Sequence, residues 1–331
     1  MLEIILPMVI TILIGFIITL LLIPSVSKFM FKHGIIGIDV HKLDRPKIPE
    51  LCGITIVIGV TVSAIIFSLF YPEQNRWILA FVSSTLIAAI VGILDRITKI
   101  GPRLKPVLVA LGAIPIIFLA VYNPYPEFPF IGATRLTIIY PLLIPIALAV
   151  TANSVNMLDV FNGSMTGTCS IAIFGMIICM LMVGRVDAAA LAAGLLGSLL
   201  AFHIFNKYPA KVFSGDVGSL FIGASIGVLA IYGRIEVAAI TAMMPHIMNA
   251  FYGLATVGRL YERKEISTRP IRVLEDGRLD VNKDGKAPIT LARMILAQRP
   301  LKEFEVTRRM FILSAVSAIF AVLTQLLIIW C

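Results

Sequence analysis

The sequence predicts an all-α integral membrane protein with about ten transmembrane helices. Hydrophobic residues make up 59% of the 331 residues, whereas soluble domains contain about 45–50% apolar residues. Several apolar runs reach about 18 residues or more, the length that a helix needs to cross a bilayer. These runs are apolar all round rather than along one stripe, which argues against a large soluble α-helical protein.

Basic residues divide the loops between the spans into two groups. The predicted spans are 2–24, 51–70, 77–94, 106–122, 137–152, 165–184, 187–206, 217–233, 236–258 and 310–330. If the spans alternate in direction, 24 of the 28 Lys and Arg residues lie on one face, and the other face retains only Arg76, Arg135, Arg185 and Arg234. Because basic loops stay in the cytoplasm, the basic face is predicted to be cytoplasmic and both termini to lie outside.

The last of the five cytoplasmic loops, 259–309, is the only sizeable polar segment. Residues 271–281 alternate around Asp276-Gly277, which predicts a small β-hairpin. Residues 289–299 and 301–309 are expected to form one or two short amphipathic helices at the membrane surface. We therefore interpret 1–331 as a single multi-span domain, with 259–309 as a substrate-binding loop inserted in it.

Cytoplasmic loops 1 and 2 carry mixed charge next to the membrane. Loop 1 contains Asp39, Val40, His41 and Glu50 with two prolines, which predicts an extended, ordered loop; a solvated connector is the alternative. Loop 2 places a lysine ten residues after Asp95, at Lys105. Such a pair suits a metal–phosphate site, and a charged helix cap is the alternative.

Cytoplasmic loops 3 and 4 place acidic and amide groups at the membrane edge. Asn153, Asn156 and Asp159 are three residues apart and share one face of a helix. Their oxygens suit Mg²⁺, and polar contact between helices is the alternative. Asp216 precedes an apolar helix, where it is a candidate ligand or only an N-cap. Phe213 and the glycines beside it suit a wall on which a base stacks.

All of these polar groups fall on one membrane face, together with Arg269 and Arg272 of loop 5, whose guanidinium groups match the geometry of phosphate. Independent structural explanations do not account for this clustering. A cation site with lysine and arginine beside it indicates phosphoryl transfer on an anionic substrate. Placement at the membrane edge indicates that one reactant is a lipid phosphate.

Three segments carry a resemblance to a known family: Asn153-x-x-Asn156-x-x-Asp159, Phe213-x-Gly215-Asp216 and Ile48-Pro49-Glu50. Over nearly its whole length the chain resembles the polyprenyl-phosphate N-acetylhexosamine-1-phosphate transferases. These enzymes move a sugar-1-phosphate from a UDP-sugar to a polyprenyl or dolichyl phosphate and release UMP. The resemblance implies a membrane-embedded, metal-dependent phosphotransferase.

The resemblance also implies roles for individual residues. Asn156 and Asp216 match ligands of Mg²⁺, with Mn²⁺ as an alternative metal. Catalytic roles fall to Asp95, Lys105 and Asp159, with Lys105 also binding phosphate. Glu50, Asn162 and Phe213 match positions around the uridine. The remaining substrate-binding positions are Asp39, Val40, His41, Asn153, Arg269 and Arg272, of which the two arginines are expected to hold the pyrophosphate and sugar.

This chain departs from the family pattern at three points. Loop 2 has Asp95-Arg96 where the family usually has two aspartates, so a mechanism that needs the second carboxylate as a base is in doubt. Cys52 replaces a common glycine. None of the four histidines lies in 259–309, whereas bacterial members carry a histidine-rich motif there. The chain therefore looks more like the archaeal and eukaryotic branch, which makes GlcNAc-diphosphodolichol for N-glycosylation.

The resemblance predicts UDP-GlcNAc, dolichyl or another polyprenyl phosphate, and the lipid bilayer as partners, without nucleic acid; a homodimer is compatible with the sequence. The predicted location is the cell membrane, or the endoplasmic reticulum membrane in a eukaryote, with a cytoplasmic active site. One alternative is a bacterial-type transferase that acts on undecaprenyl phosphate. An alternative of another class is a secondary transporter, which predicts broken helices at the bilayer midplane and inverted repeats.

Overall fold

The computed structural model describes residues 2–258 and 268–330, which form a helical protein with three small hairpins. The helices are α1 (Leu2–Lys32), α2 (Ile54–Phe70), α3 (Asn75–Thr98), α4 (Leu104–Ala110), α5 (Ala113–Phe118), α6 (Ile139–Leu158), α7 (Ser164–Met182), α8 (Val186–Asn206), α9 (Gly215–Gly233), α10 (Glu236–Ala242), α11 (Met244–Val257), α12 (Leu291–Leu296) and α13 (Glu303–Trp330). The strands are β1 (Ile36–Ile38), β2 (Lys47–Pro49), β3 (Glu127–Phe128), β4 (Gly132–Ala133), β5 (Ile271–Val273) and β6 (Leu279–Val281), paired antiparallel in chain order.

The apolar helices confirm a multi-pass membrane protein. Within the described ranges, seven helices are long and apolar enough to cross a membrane, namely α1, α3, α6, α7, α8, α9 and α13. The α10–α11 pair qualifies together although it is bent by 68°, and α2 and the α4–α5 segment are shorter apolar stretches. Every predicted span thus coincides with an apolar helix or helix pair. The number of full crossings and the side of the termini stay predictions.

Two predicted helical segments differ in detail from the structure. The predicted span 236–258 is not one straight helix, because Pro245 stands in the first turn of α11. Proline lacks an N–H group and its ring clashes with the preceding turn, so α10 cannot continue through it. Of the one or two surface helices predicted over 289–299 and 301–309, one is present as α12, and residues 303–309 form the first part of α13. No proline or glycine follows Pro300 in this stretch, and the helix continues into the membrane.

Helix α9 lies at the centre of the bundle and is buried on almost every side. It packs against α3 and α6, whereas α1 and α13 lie at the periphery and expose large apolar side chains. Small residues bring the helices close together. A Cβ atom on Gly15 of α1, for example, would lie 2.3 Å from the Gly194 carbonyl oxygen of α8. In lipid the hydrophobic effect does not hold helices together, because the lipid tails are as apolar as the side chains. Close van der Waals contact between the helices stabilises the bundle instead.

The end of α3 meets the beginning of α9 through a glycine. A Cβ atom on Gly92 would lie 2.5 Å from the carbonyl carbon of Asp216 and 2.5 Å from the amide nitrogen of Val217. Because both neighbours are backbone atoms, they cannot rotate away as a flexible side chain would. Gly92 therefore sets how closely Asp216 approaches α3.

We expect Gly92→Ala to lower the free energy of unfolding by about 1–3 kcal/mol, which is the usual cost of overpacking. Thermal unfolding of the purified protein in detergent measures the effect. Gly101→Ala is the matched control, because no atom lies within 4 Å of a Cβ atom built there. An unchanged midpoint for Gly92→Ala would show that α3 and α9 can separate without cost.

The predicted hairpin in loop 5 is confirmed. Strands β5 and β6 pair with Ile271 opposite Val281, and Gly277 has a left-handed φ of +77° in the turn. The hairpin, α12 and the start of α13 share a small apolar core with Leu158 and Phe161 at the end of α6. Loop 5 is thereby held against the end of α6. Residues 259–267 of this loop lie outside the described residues.

Candidate active site

Lys105 lies at the centre of the polar residues predicted from cytoplasmic loops 2 and 4. Its ammonium nitrogen is 2.9 Å from Asp95 Oδ2 and 2.8 Å from Asp216 Oδ2. Asp95 comes from the last turn of α3, Lys105 from the first turn of α4 and Asp216 from the first turn of α9. The end of α3 and the beginnings of α4 and α9 thus bring three of the predicted residues together.

The local environment favours an additional positive charge beside these carboxylates. Asp95 Oδ1 is buried and accepts no hydrogen bond from any described residue. A buried carboxylate oxygen without a partner is costly. The N-terminus of α9 also contributes a partial positive charge next to Asp216, which favours bound anions such as phosphate. The site therefore offers oxygen ligands for a hard cation and a positive helix end for an anion.

Asn156 and Asp159 lie beside the same helix end. Ser219 of α9 donates a hydrogen bond to Asn156 Oδ1 at 3.2 Å, and Ser214 donates one to Asp159 Oδ2 at 2.6 Å. Asp159 follows the last residue of α6 rather than lying within the helix. The predicted common face therefore holds for Asn153 and Asn156 only, whereas Asp159 reaches the site from the turn after α6.

Asn153 lies one turn deeper in α6 and is held differently. Its side-chain amide donates a hydrogen bond to the Ala149 carbonyl oxygen at 2.7 Å, four residues earlier in the same helix. This bond orients the amide along α6. No hydrogen bond within the described ranges joins Asn153 to the other predicted site residues, so its predicted contact with substrate stays a prediction.

A second polar cluster joins loops 1 and 3, both predicted to be cytoplasmic, to the start of α13. The Lys42 ammonium contacts Asp39, lies 2.7 Å from Asn162 Oδ1 and lies 3.4 Å from Glu303 Oε2. Asn162 donates its side-chain amide to Asp39 Oδ2 at 3.1 Å and its backbone N–H to Glu303 Oε1 at 2.7 Å. The predicted residues Asp39 and Asn162 are thus direct neighbours, and both are buried.

This second cluster is also a candidate cation site. One ligand atom each from Asp39, His41 and Glu303 lie within 4.8 Å of one another. Lys42 already lies between two of these carboxylates and offsets their charge. The His41 ring packs against Phe161, with ring centroids 4.9 Å apart. The neighbouring predicted residue Val40 lies in the turn after β1. Asp216 and Asn156 therefore stay the predicted ligands of the cation.

Glu50 and Phe213 lie next to the β1–β2 hairpin. Glu50 Oε2 forms an ion pair with Arg96 Nη1 at 2.9 Å, and Arg96 also donates a hydrogen bond to the Ile36 carbonyl oxygen at 3.4 Å. Arg96, at the position where a second aspartate was expected, therefore ties α3 to this hairpin. The Phe213 ring packs so closely over Gly37 that a Cβ atom there would lie 2.9 Å from it.

Arg269 and Arg272 lie at the base of the loop 5 hairpin. Arg272 Nη2 is 2.8 Å from Asp280 Oδ2 on the paired strand. Hydrogen bonds from Arg272 lower the pKa of Asp280 below its ordinary value, so this pair stays charged near neutral pH. The Arg269 carbonyl oxygen accepts a hydrogen bond from Asn282. Asp280 accepts two hydrogen bonds from the Arg272 guanidinium, which has five N–H groups, and the predicted contact of Arg272 with phosphate stays a prediction.

Four residues of these clusters escaped the sequence analysis. Ser214 lies inside a motif whose second position was treated as variable, and Ser219 lies one turn later. Lys42 lies within the loop 1 segment but was counted only as a basic topology signal. Glu303 is the least expected, because it is one of eight acidic residues in 259–309 and nothing in the sequence distinguishes it from the others.

Comparison with known proteins agrees with the geometry of the site. A family model described as glycosyl transferase family 4 matches residues 77–234, which include Asp95, Lys105, Asn156, Asp159 and Asp216. A Saccharolobus solfataricus protein with the provisional name UDP-N-acetylglucosamine–dolichyl-phosphate N-acetylglucosaminephosphotransferase is 32% identical, over 98% of this chain and 97% of that protein.

Two further relatives show how widely the similarity extends. A provisionally named glycosyltransferase of Methanocaldococcus jannaschii is 31% identical over 91% of this chain and 92% of its own length. The phospho-N-acetylmuramoyl-pentapeptide-transferase of Bacillus licheniformis is 30% identical over 69% of this chain and 75% of its own length. The resemblance seen in the motifs is confirmed, and the chain belongs to glycosyl transferase family 4.

Proposed function

We propose that this enzyme transfers GlcNAc-1-phosphate from UDP-GlcNAc to dolichyl phosphate and releases UMP. The observation that carries the proposal is the Lys105 ammonium between Asp95 and Asp216, at the ends of membrane helices. The provisional name of the Saccharolobus relative supports this donor and this acceptor. The basic loops support a cytoplasmic location of the site, where a nucleotide-sugar meets a lipid phosphate.

The chemistry is a displacement at the phosphorus that carries the sugar. An oxygen of dolichyl phosphate attacks this β-phosphorus, a new P–O bond forms, and the bond to the bridging oxygen breaks so that UMP leaves with the electron pair. Lys105 offsets phosphate charge, and Asp95 holds its ammonium in place at 2.9 Å. The attacking oxygen is largely ionised near neutral pH, so positioning and charge neutralisation suffice without a base.

The residues around Asp216 fit a divalent cation. Asp216 and Asn156 would hold Mg²⁺, because both supply hard oxygen ligands, and Asp216 shares Lys105 with Asp95, whose Oδ1 accepts no hydrogen bond from a described residue. When bound, the cation supplies charge stabilisation for the pyrophosphate. The second polar cluster, around Lys42, holds Asp39 and Asn162 in buried positions. We propose that this cluster forms the part of the site that binds the nucleotide.

We expect Arg96→Ala to raise the KM for the UDP-sugar several-fold with little loss of stability. The Arg96–Glu50 pair is partly exposed, and such pairs contribute about 1 kcal/mol or less to stability. Its loss leaves Glu50 without the group that orients it toward the proposed uridine position. Initial rates against donor concentration measure the change. Arg103→Ala in the same loop is the matched control, and an unchanged KM for Arg96→Ala would contradict this role.

The second candidate is a bacterial-type transferase, which the Bacillus relative favours. That relative's name specifies a muramyl-pentapeptide substrate. The absence of histidine from 259–309 in this sequence argues against it. The 68° bend between α10 and α11 is a feature that a transporter would share, but the family to which the chain belongs consists of transferases.

A donor screen tests the proposal. Purified protein is incubated with Mg²⁺ and dolichyl phosphate, and UMP release is measured with UDP-GlcNAc, UDP-GalNAc or UDP-MurNAc-pentapeptide. We expect release with UDP-GlcNAc to exceed release with the others, and chelation of the metal to abolish it. Preference for UDP-MurNAc-pentapeptide, above all with undecaprenyl phosphate as acceptor, would replace the proposal with the bacterial-type reaction.

A further inference from the structure

A cavity of about 250 Å³ lies at the membrane face opposite the active site. We call it the arginine cavity; its polar and aromatic lining includes Glu73, Arg76, Trp77, Asn123, Arg185 and Arg234. Arg76 is in the first turn of α3, and Asp95 is near the other end of the same helix. At 1.5 Å per helical residue the two are about 28 Å apart along the axis, close to the thickness of a bilayer core.

The convergence of arginines here is unusual for this membrane face. The sequence places only four basic residues on this face, and three of them line this one cavity. They come from three separate turns of the chain: the start of α3, the α7–α8 turn and the end of α9. The positive-inside rule accounts for the scarcity of basic residues on this face but not for their convergence.

Arg185 forms a fixed wall of the arginine cavity. It makes two hydrogen bonds of 3.1 Å to Asp187, and its guanidinium carbon lies 4.8 Å from the centroid of the Tyr232 ring. The Tyr232 hydroxyl donates to Asp187 Oδ2 at 2.8 Å, and the ring packs against Trp77 with centroids 4.5 Å apart. Stacking and bidentate bonding hold the guanidinium in one orientation.

Arg76 and Arg234 retain donors for a ligand. Arg76 donates to the Leu119 carbonyl oxygen at 2.6 Å, which uses one of the five N–H groups of a guanidinium. Arg234 is exposed at the end of α9, and its side chain forms no hydrogen bond or ion pair with the part of the chain that the structure describes. Asp187 beside Arg185 and Glu236 beside Arg234 offset part of this charge from outside the cavity, and Glu73 is the one carboxylate among the residues that line it.

We propose that the arginine cavity binds a phosphate group, either the headgroup of a lipid in that leaflet or free phosphate. Guanidinium groups match phosphate oxygens in pairs. The cavity is below the size of about 300–1,000 Å³ that is typical of sites for larger ligands, which suits a small anion. Tryptophan and tyrosine are the side chains favoured at the membrane interface, where lipid phosphates lie. This site is independent of the proposed transfer reaction.

Trp77 provides a local reporter for the test. The chain has two tryptophans, so Trp330→Phe leaves Trp77 as the only one. The full-length Trp330→Phe protein in detergent is titrated with inorganic phosphate, with short-chain phosphatidylglycerol and with short-chain diacylglycerol, which lacks phosphate. We expect a saturable change in Trp77 fluorescence with phosphatidylglycerol, with phosphate or with both, and none with diacylglycerol. A response to free phosphate identifies the anion itself as the ligand, and a response to the phospholipid alone identifies the headgroup.

Three variants in this background decide the proposal. Arg76→Gln/Arg234→Gln is expected to weaken binding at least about tenfold, because two charge-assisted contacts are lost. Arg76→Lys/Arg234→Lys should recover part of the lost affinity. Such a recovery shows that the Gln variant binds weakly because it lacks positive charge and not because it is misfolded. Arg135→Gln removes an arginine from the same face outside the cavity and should bind as the parent does. Equal binding by the double Gln variant, an equal loss in Arg135→Gln, or a response to diacylglycerol would overturn the proposal.

Discussion

Asp216→Asn is expected to reduce UMP release from UDP-GlcNAc by about a thousandfold, the scale at which loss of one preorganised electrostatic group acts. The substitution keeps the volume of the side chain but removes its charge. Asp216 lies 2.8 Å from the Lys105 ammonium and beside the buried Asp95 Oδ1. Without this carboxylate, the proposed cation loses a charged ligand and Lys105 loses the carboxylate of Asp216 as an ion-pair partner.

Rates are measured with purified protein in detergent, and Mg²⁺-dependent thermal stabilisation gives a second readout. We expect Mg²⁺ to raise the unfolding midpoint of the parent but not of Asp216→Asn. Asp44→Asn is the matched control, since Asp44 is an exposed carboxylate of cytoplasmic loop 1. If Asp216→Asn kept more than about a tenth of the activity, Asp216 would not be the metal ligand.

Lys105→Met is the second variant with a large expected effect, on both activity and stability. Lys105 is buried and separates two carboxylates. Its removal leaves Asp95 and Asp216 as neighbouring negative charges without the ammonium between them. A fully buried pair would lose about 3–5 kcal/mol, and the loss here is smaller because the Asp216 side chain is 31% exposed. Activity should fall at least about a hundredfold, because the phosphate loses a positioned charge.

A second variant separates folding from catalysis. In Asp95→Asn/Lys105→Met one negative charge is removed with the positive one, so the unfolding midpoint should return toward that of the parent. Activity should stay low, since no ammonium remains to bind phosphate. Recovery of both properties in the double variant would show that Lys105 only balances charge in the fold.

Much of the fold could be predicted because membrane helices obey strong local rules. Within the described residues, seven helices are apolar runs long enough to cross lipid, and such a run needs no partner to be recognised. The end of the bundle that carries the candidate site was also predictable from local sequence. Acidic residues such as Asp95 and Asp216 are energetically costly at a membrane edge, so their presence there indicates a function. The bend at Pro245 could have been predicted too, because a proline there ends α10.

The partners of these residues could not be predicted, because they depend on long-range packing. Lys42 and Glu303 are 261 residues apart in the sequence. No pattern in either segment predicts that the two residues come into contact. Arg96 was treated as a departure from the family pattern, and only the folded chain pairs it with Glu50. The convergence of Arg76, Arg185 and Arg234 on one cavity likewise depends on how α3, α8 and α9 pack.

The most direct test of the proposed reaction follows the β-phosphate of UDP-GlcNAc. The purified enzyme is given dolichyl phosphate and donor labelled with ³²P at the β-position, and the lipid and aqueous products are separated. Transfer of GlcNAc-1-phosphate predicts that the label enters the lipid, that unlabelled UMP appears in equal amount, and that Asp216→Asn forms neither. Label that stays in the aqueous phase as UDP, with sugar alone on the lipid, would contradict the account.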